Sequence, residues 1–180
     1  KNNLGDLFAV MIITDVTLNI NGKIEHYDYA VIQEKVPTVL GDALNKYNRE
    51  ILEASQAEDL AAKTRLEKEK DDVENRFVSL VKKIMQREVI DSDYGNLERN
   101  YGITRGGRFV AFDADKFTQS PMSLPSKKDK APLSPKASAL AKKLYPIFTK
   151  ETFYELSTQE TGGNIVQRVP DVFYEDITNV

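Results

Sequence analysis

The sequence predicts an α+β fold: a long antiparallel β-hairpin in a small sheet, one long helix or helical hairpin, and C-terminal helices after a Pro/Lys linker. Three observations carry this. Asn21-Gly22 lies between two apolar-patterned arms, residues 42–94 contain neither Gly nor Pro, and residues 119–137 hold four Pro, four Ser and four Lys. The corresponding organisation is a body over 1–118 that includes the long helix 42–94, a flexible basic linker over 119–137, and a helical segment with a tail over 138–180.

The hairpin comes first. Asn-Gly tolerates the positive φ values of a tight turn, so Leu7–Ile20 and Lys23–Val36 should pair. Phe8, Val10, Ile12, Val16, Leu18 and Ile20 fall on one face, interrupted only by Thr14. A two-residue turn sets Val16 opposite Tyr27 and Asp15 opposite Asp28, whereas a three-residue turn with a Gly bulge sets Leu18 opposite Ile24 and Val16 opposite His26. The second register avoids facing two like charges and is preferred.

After Pro37 and Gly41, residues 42–94 read as helix. The ends are amphipathic, with Leu44, Tyr47, Ile51 and Leu52 at the start and Val73, Phe77, Leu80, Val81, Ile84 and Met85 at the close. The middle is mostly polar residues and alanine, with i, i+4 pairs such as Lys63–Glu67. Fifty helical residues would reach about 75 Å, so the helix either projects or turns near residues 54–64 into a helical hairpin. Phe109–Phe112 reads as a short strand that joins the sheet. Ser134-Pro135 should start a helix that Pro146 ends near Tyr145, a second short helix should run from Thr149 to Leu156, and Ile165–Val169 and Val172–Tyr174 read as tail strands. Tyr145, Phe148, Phe153 and Tyr154 look like anchors that return the chain to a core.

Composition excludes several chemistries. Without Cys there is no disulfide framework, thiolate nucleophile, Cys-ligated zinc or iron–sulfur site, and with His26 alone there is no multi-histidine metal site within one chain. The longest apolar run, Leu7 to Ile13, is too short to span a membrane, so no membrane insertion is expected. The chain opens on Lys1, which leaves a trimmed or processed start open.

The net charge of −3 is unevenly spread. Residues 116–150 carry eight lysines against Asp129, between two acidic flanks. Such a block attracts an anionic partner or folds back on its acidic neighbours, and the second reading is preferred. The set of residues for anion or nucleic-acid contact is Arg105, Arg108, Lys127, Lys128 and Lys130. The first two flank glycines in a loop composition that grips phosphates through amides and guanidinium forks. A flexible loop and a solvated linker are the competing readings, because no aromatic groups interleave with the lysines for base stacking.

Enzymatic patterns are sparse. Asp15 and the return strand Gln33-Glu34-Lys35 are laid out like the acid and acid-x-Lys elements of PD-(D/E)xK nucleases, with Gln33 in the acid's place. An ordinary amphipathic hairpin is preferred. Asp113 and Asp115 share one side of an extended segment, and His26 has no nucleophile-elbow serine to serve. No catalytic, cofactor-binding or metal residue is therefore assigned, and no cofactor is expected.

The function expected is that of a non-enzymatic structural or assembly subunit of a larger complex, such as a virion component. Its partners would be other protein subunits or copies of itself, contacted through the long helix and the extended linker. An intracellular or virion setting is favoured over secretion. Two alternatives stand beside this reading: a nucleic-acid-associated module using the basic 105–143 region, and a metal-dependent nuclease-like enzyme using the 15–35 hairpin.

Overall fold

The computed structural model describes residues 6–9, 11–93, 97–113 and 116–161. Helices and antiparallel sheets are combined in an α+β arrangement. The hairpin pairs β1 (Met11–Ile20) with β2 (Lys23–Gln33). Asn21 and Gly22 both adopt positive φ, 55° and 85°, so the turn is a two-residue one with the twist that suits a hairpin. Asn19 Oδ1 accepts from the Gly22 amide at 2.9 Å and braces it.

The register is the two-residue one, with Ile20 opposite Lys23, Leu18 opposite Glu25 and Val16 opposite Tyr27. The expected pairing of Leu18 with Ile24 and Val16 with His26 is thereby overturned. The like-charge conflict is resolved differently. A register shift between Thr14 and Val16 leaves Asp15 facing the Asp28–Tyr29 step, with no single residue opposite it.

The long apolar-polar stretch is two helices. α1 (Leu40–Gln56) and α2 (Leu60–Gln86) pack against each other as a helical hairpin. Glu58 takes a left-handed φ of 55° in the turn, and Asp59 caps α2 by accepting from the Ala62 amide at 2.9 Å. α2 stops at Gln86, short of residue 94, because Glu88 turns left-handed (φ 60°) and Val89-Ile90 enter the core.

Val73, Phe77, Leu80, Val81, Ile84 and Met85 of α2 are buried, as their spacing predicts. Each such side chain contributes about 1.5–3 kcal/mol by leaving water. Phe77 meets Tyr101 edge-on, with ring centroids 4.8 Å apart.

Small strands complete the body. β3 (Thr38–Val39), β5 (Tyr101–Ile103) and β6 (Phe109–Ala111) form one sheet, and β4 (Ile90–Asp91) pairs with β7 (Phe117–Thr118). A one-turn helix, α3 (Leu97–Asn100), leads into β5. The expected strand at 109–112 therefore exists but does not extend the hairpin, whose sheet is two-stranded among the described residues. The chain ahead of β1 links the two, with Ala9 N donating to Ala111 O at 2.8 Å and Ala111 N to Leu7 O at 2.9 Å.

α4 (Ala139–Leu144) begins at Ser138, whose hydroxyl accepts from the Ala141 amide at 3.1 Å. This corrects the expected start at Ser134-Pro135, which instead forms a turn closed by Ala137 N donating to Ser134 O. α5 (Lys150–Thr161) packs on α2. Phe148 and Phe153 are buried, Tyr145 is half-buried and Tyr154 is exposed. The expected tail strands at 165–169 and 172–174 lie outside the described residues.

Within 119–137 the chain is anchored at several points. Leu124 is fully buried after a single 3-10 turn at Pro121–Ser123, and Glu151 at the start of α5 accepts from Ser126 Oγ (2.6 Å) and the Lys127 amide (3.0 Å). Lys143 of α4 pairs with Asp71 and with Glu74 Oε2 (3.2 Å) on α2, so the buried Glu74 has a cation beside it.

Candidate functional site

The distal hairpin stands apart from this core. No residue from Thr14 to Asp28 is buried, and β1 and β2 pack chiefly on each other. Cross-strand partners share a face, so Val16, Leu18 and Ile20 form a column beside Tyr27, Glu25 and Lys23. Leu18 (42% exposed), Ile20 (43%) and Tyr27 (40%) are open to water on that side, and Ile24 (72%) is open on the other.

The polar row on β2 is satisfied within itself. Lys23 Nζ donates to Glu25 Oε1 at 2.8 Å and Tyr27 Oη to Glu25 Oε2 at 2.6 Å. The hydrogen bonds from Lys23 and then Tyr27 hold the Glu25 carboxyl below its ordinary range, and the same carboxylate raises Tyr27. On the opposite face Thr17 Oγ1 and His26 Nδ1 lie 3.1 Å apart.

The arm is fixed at its base. Arg108 Nη2 donates to Glu34 Oε2 at 2.6 Å, Arg108 Nη1 to Phe8 O at 3.4 Å, and Gln33 Nε2 to Phe112 O at 2.7 Å. These bonds tie the strand end of β2 to the β5–β6 region across more than seventy residues of sequence.

The predicted anion-contact residues occupy different elements. Arg105 is exposed in the β5–β6 turn, whereas Arg108 is half-buried in its pair with Glu34. Lys127 and Lys128 are exposed. Lys130 turns inward, with Nζ 3.9 Å from the Tyr145 ring centroid, and that nitrogen is buried without a hydrogen-bond partner. Burial accordingly pushes its pKa down. A second cation over an aromatic ring, missed from sequence, is the exposed Arg76, which lies 4.4 Å from the Phe109 ring centroid and donates to Gly107 O.

Lys130 and Tyr145 line an open cleft of about 680 Å³ walled by Leu97, Leu140, Leu144 and Phe148. Tyr145 Oη donates to Ala131 O and holds the rim.

The nuclease-like pattern is not gathered into a centre. Met11 is the partner of Gln33, so Asp15 lies four residues farther along β1, about 13 Å away at the rise of a strand. Asp15, Lys35 and Asp28 are exposed. Asp113 is half-buried, and Asp115 lies outside the described residues. Among the described residues no group of three or more His, Asp or Glu side chains is placed to hold a metal ion, and no helix is long and apolar enough to cross a membrane.

Asp91, which sequence reasoning missed, is a buried carboxylate with both oxygens engaged. Asn100 Nδ2 donates to one at 3.0 Å and the Asp93 amide to the other at 2.8 Å. Desolvation raises its pKa despite these bonds. The arrangement joins β4 to α3 and so is part of the frame.

No protein-family model and no curated protein matches this chain.

Proposed function

We propose that this protein is a non-enzymatic assembly subunit that enters a larger protein complex through its β1–β2 arm. The observation that carries the reading is the contrast between arm and body. The body buries its apolar faces in one core, while the arm leaves Leu18, Ile20, Ile24 and Tyr27 in water on a hairpin clamped rigidly at its base. Exposed apolar groups on a braced, projecting strand pair suit contact with another protein.

The contact elements expected from sequence contribute differently. α2 spends its apolar stripe on the core, and the 119–137 segment is held partly by α5. Exposed Leu52 and Leu60 near the turn between α1 and α2 offer a smaller, separate apolar spot.

The test is native size fractionation of the chain in its own host, comparing wild type with the double variant Leu18→Ser/Ile20→Ser. Wild type is expected in high-mass fractions and the variant at monomer mass, with thermal stability close to wild type because neither residue is in the core. Wild-type chain found only at monomer mass, or a variant that stays in the high-mass fractions, would overturn the reading.

A further inference from the structure

Among the described residues the arm has two open edges, and they differ in chemistry. β1 over Val16–Ile20 reads Val-Thr-Leu-Asn-Ile and carries no charge, whereas β2 over Lys23–Asp28 carries Lys23, Glu25, His26 and Asp28. Charges along an edge strand discourage pairing with another strand, and an uncharged, β-branched edge lacks that protection. Among the described residues the hairpin's sheet has these two strands, and no described strand pairs with the outer side of β1.

The turn decides which backbone groups face outward. In a two-residue turn Ile20 C=O accepts from Lys23 N–H, making Ile20/Lys23 a hydrogen-bonded pair. Alternation along an antiparallel ladder then makes Leu18/Glu25 and Val16/Tyr27 hydrogen-bonded pairs too. The amides and carbonyls of Thr17 and Asn19 are left pointing away from β2.

We infer that the β1 edge pairs with β1 of a second copy of this chain, antiparallel about a two-fold axis at Leu18, to give a four-stranded sheet. This deepens the proposed function and rests on it. The sequence of the edge is self-complementary about that point: Leu18 meets its own copy, Val16 meets Ile20, and Thr17 meets Asn19. The Thr17 and Asn19 backbone groups, which already face outward, exchange hydrogen bonds across the new pair. The Val16–Leu18–Ile20 columns of both copies come side by side on one face, and no like charges are opposed. Pairing through β2 about its corresponding centre would instead bring Glu25 or His26 against its own copy.

The chain has no Cys, which permits a clean single-cysteine test. At the axis a non-hydrogen-bonded pair brings Cα atoms to about 4.5 Å, within disulfide range, whereas residues on the two β2 strands would be about 14 Å apart. Purified full-length Leu18→Cys and Ile24→Cys proteins are oxidised at equal concentration, and dimer is followed by non-reducing electrophoresis. Leu18→Cys is expected to cross-link at least about tenfold faster than Ile24→Cys. Adding Thr17→Pro to Leu18→Cys removes an outward N–H without touching the β1–β2 ladder, and should abolish the advantage.

Equal rates, a faster Ile24→Cys reaction, or an advantage that survives Thr17→Pro would each overturn the inference. Should that happen while the double serine variant still leaves the native complex, the arm binds a different protein and the assembly role stands. Loss of both results removes the assembly role as well.

Discussion

Arg108 Nη2 lies 2.6 Å from Glu34 Oε2, joining the foot of the arm to the strand that follows the β5–β6 turn. Both side chains are about one-third exposed, so the pair is neither a loose surface contact nor a fully desolvated one. Arg108 also reaches Phe8 O, which places one guanidinium between both chain segments that enter and leave the hairpin. A guanidinium held in this way orients the arm.

Glu34→Ala should therefore destabilise the protein by about 1–2 kcal/mol, the range of a charge-assisted hydrogen bond in a partly screened setting. Arg108→Lys should cost a similar amount, because an ammonium lacks the fork that serves two acceptors. Chemical denaturation of each variant checks this, and amide exchange should quicken at 34–36 before it does in α2.

At Gly102 the β5 backbone passes close against β3. A Cβ built there would lie 2.5 Å from Thr38 O, across the Val39–Gly102 pairing of β3 and β5. Gly102 is paired on both sides, with Val39 of β3 and Val110 of β6. Gly102→Ala should cost about 3 kcal/mol, at the upper end for overpacking, and should lower the denaturation midpoint without changing the native mass.

Acid should loosen the α4–α5 layer first. Hydrogen bonds from Ser126, from its own backbone amide and from the Lys127 amide lower Glu151 from its ordinary 4.5 to about 2, and Lys143 lowers Asp71 from 3.8. A carboxyl depressed by folding contributes stability that is complete above its unfolded pKa and is lost as pH falls through its folded pKa. Glu151→Gln should therefore differ most from wild type at neutral pH, and the two should converge as pH falls from about 4.5 toward 2. A pH series of unfolding midpoints reads this directly.

Lys130 acts at the alkaline end, where its charge is a cost to the fold rather than a gain. Desolvation lowers its folded pKa below the ordinary 10.5, so the unfolded chain binds its proton more tightly. Below the folded pKa the fold carries the whole cost of the buried ammonium, and raising pH from there toward 10.5 relieves it. Lys130→Met keeps the stem packing against Tyr145 and should be stabilising at neutral pH. The stability of wild type relative to this variant should improve as pH rises, when both are followed by urea unfolding.

Local chemistry made part of this molecule legible. Asn21-Gly22 announced the hairpin turn, the 3.6-residue spacing of Phe77, Leu80, Val81 and Ile84 announced the buried face of α2, and Pro146 marked the end of α4. The break between α1 and α2 was less legible, because Glu58 adopts a left-handed conformation that Gly or Asn normally signals. Strands of two or three residues, such as β3 and β7, have too few positions to show a period.

The candidate site was half visible for a related reason. Alternation of Val16, Leu18 and Ile20 showed one apolar face, but only the tertiary fold showed that Leu18 and Ile20 stay exposed on it. Arg108 and Lys130 read as exposed cations because Glu34 and the Tyr145 ring are distant in sequence or in an unpredicted orientation. Net charge in a segment does not reveal which charges the fold will consume.

Hydrogen exchange on the arm, measured in the chain recovered within its native complex and in the dilute purified chain, tests the assembly role most directly. Residues 15–28 should exchange markedly more slowly in the complex, while α2 is protected equally in both. Equal exchange of the arm in the two states, with protection gained on some other surface, would contradict the account.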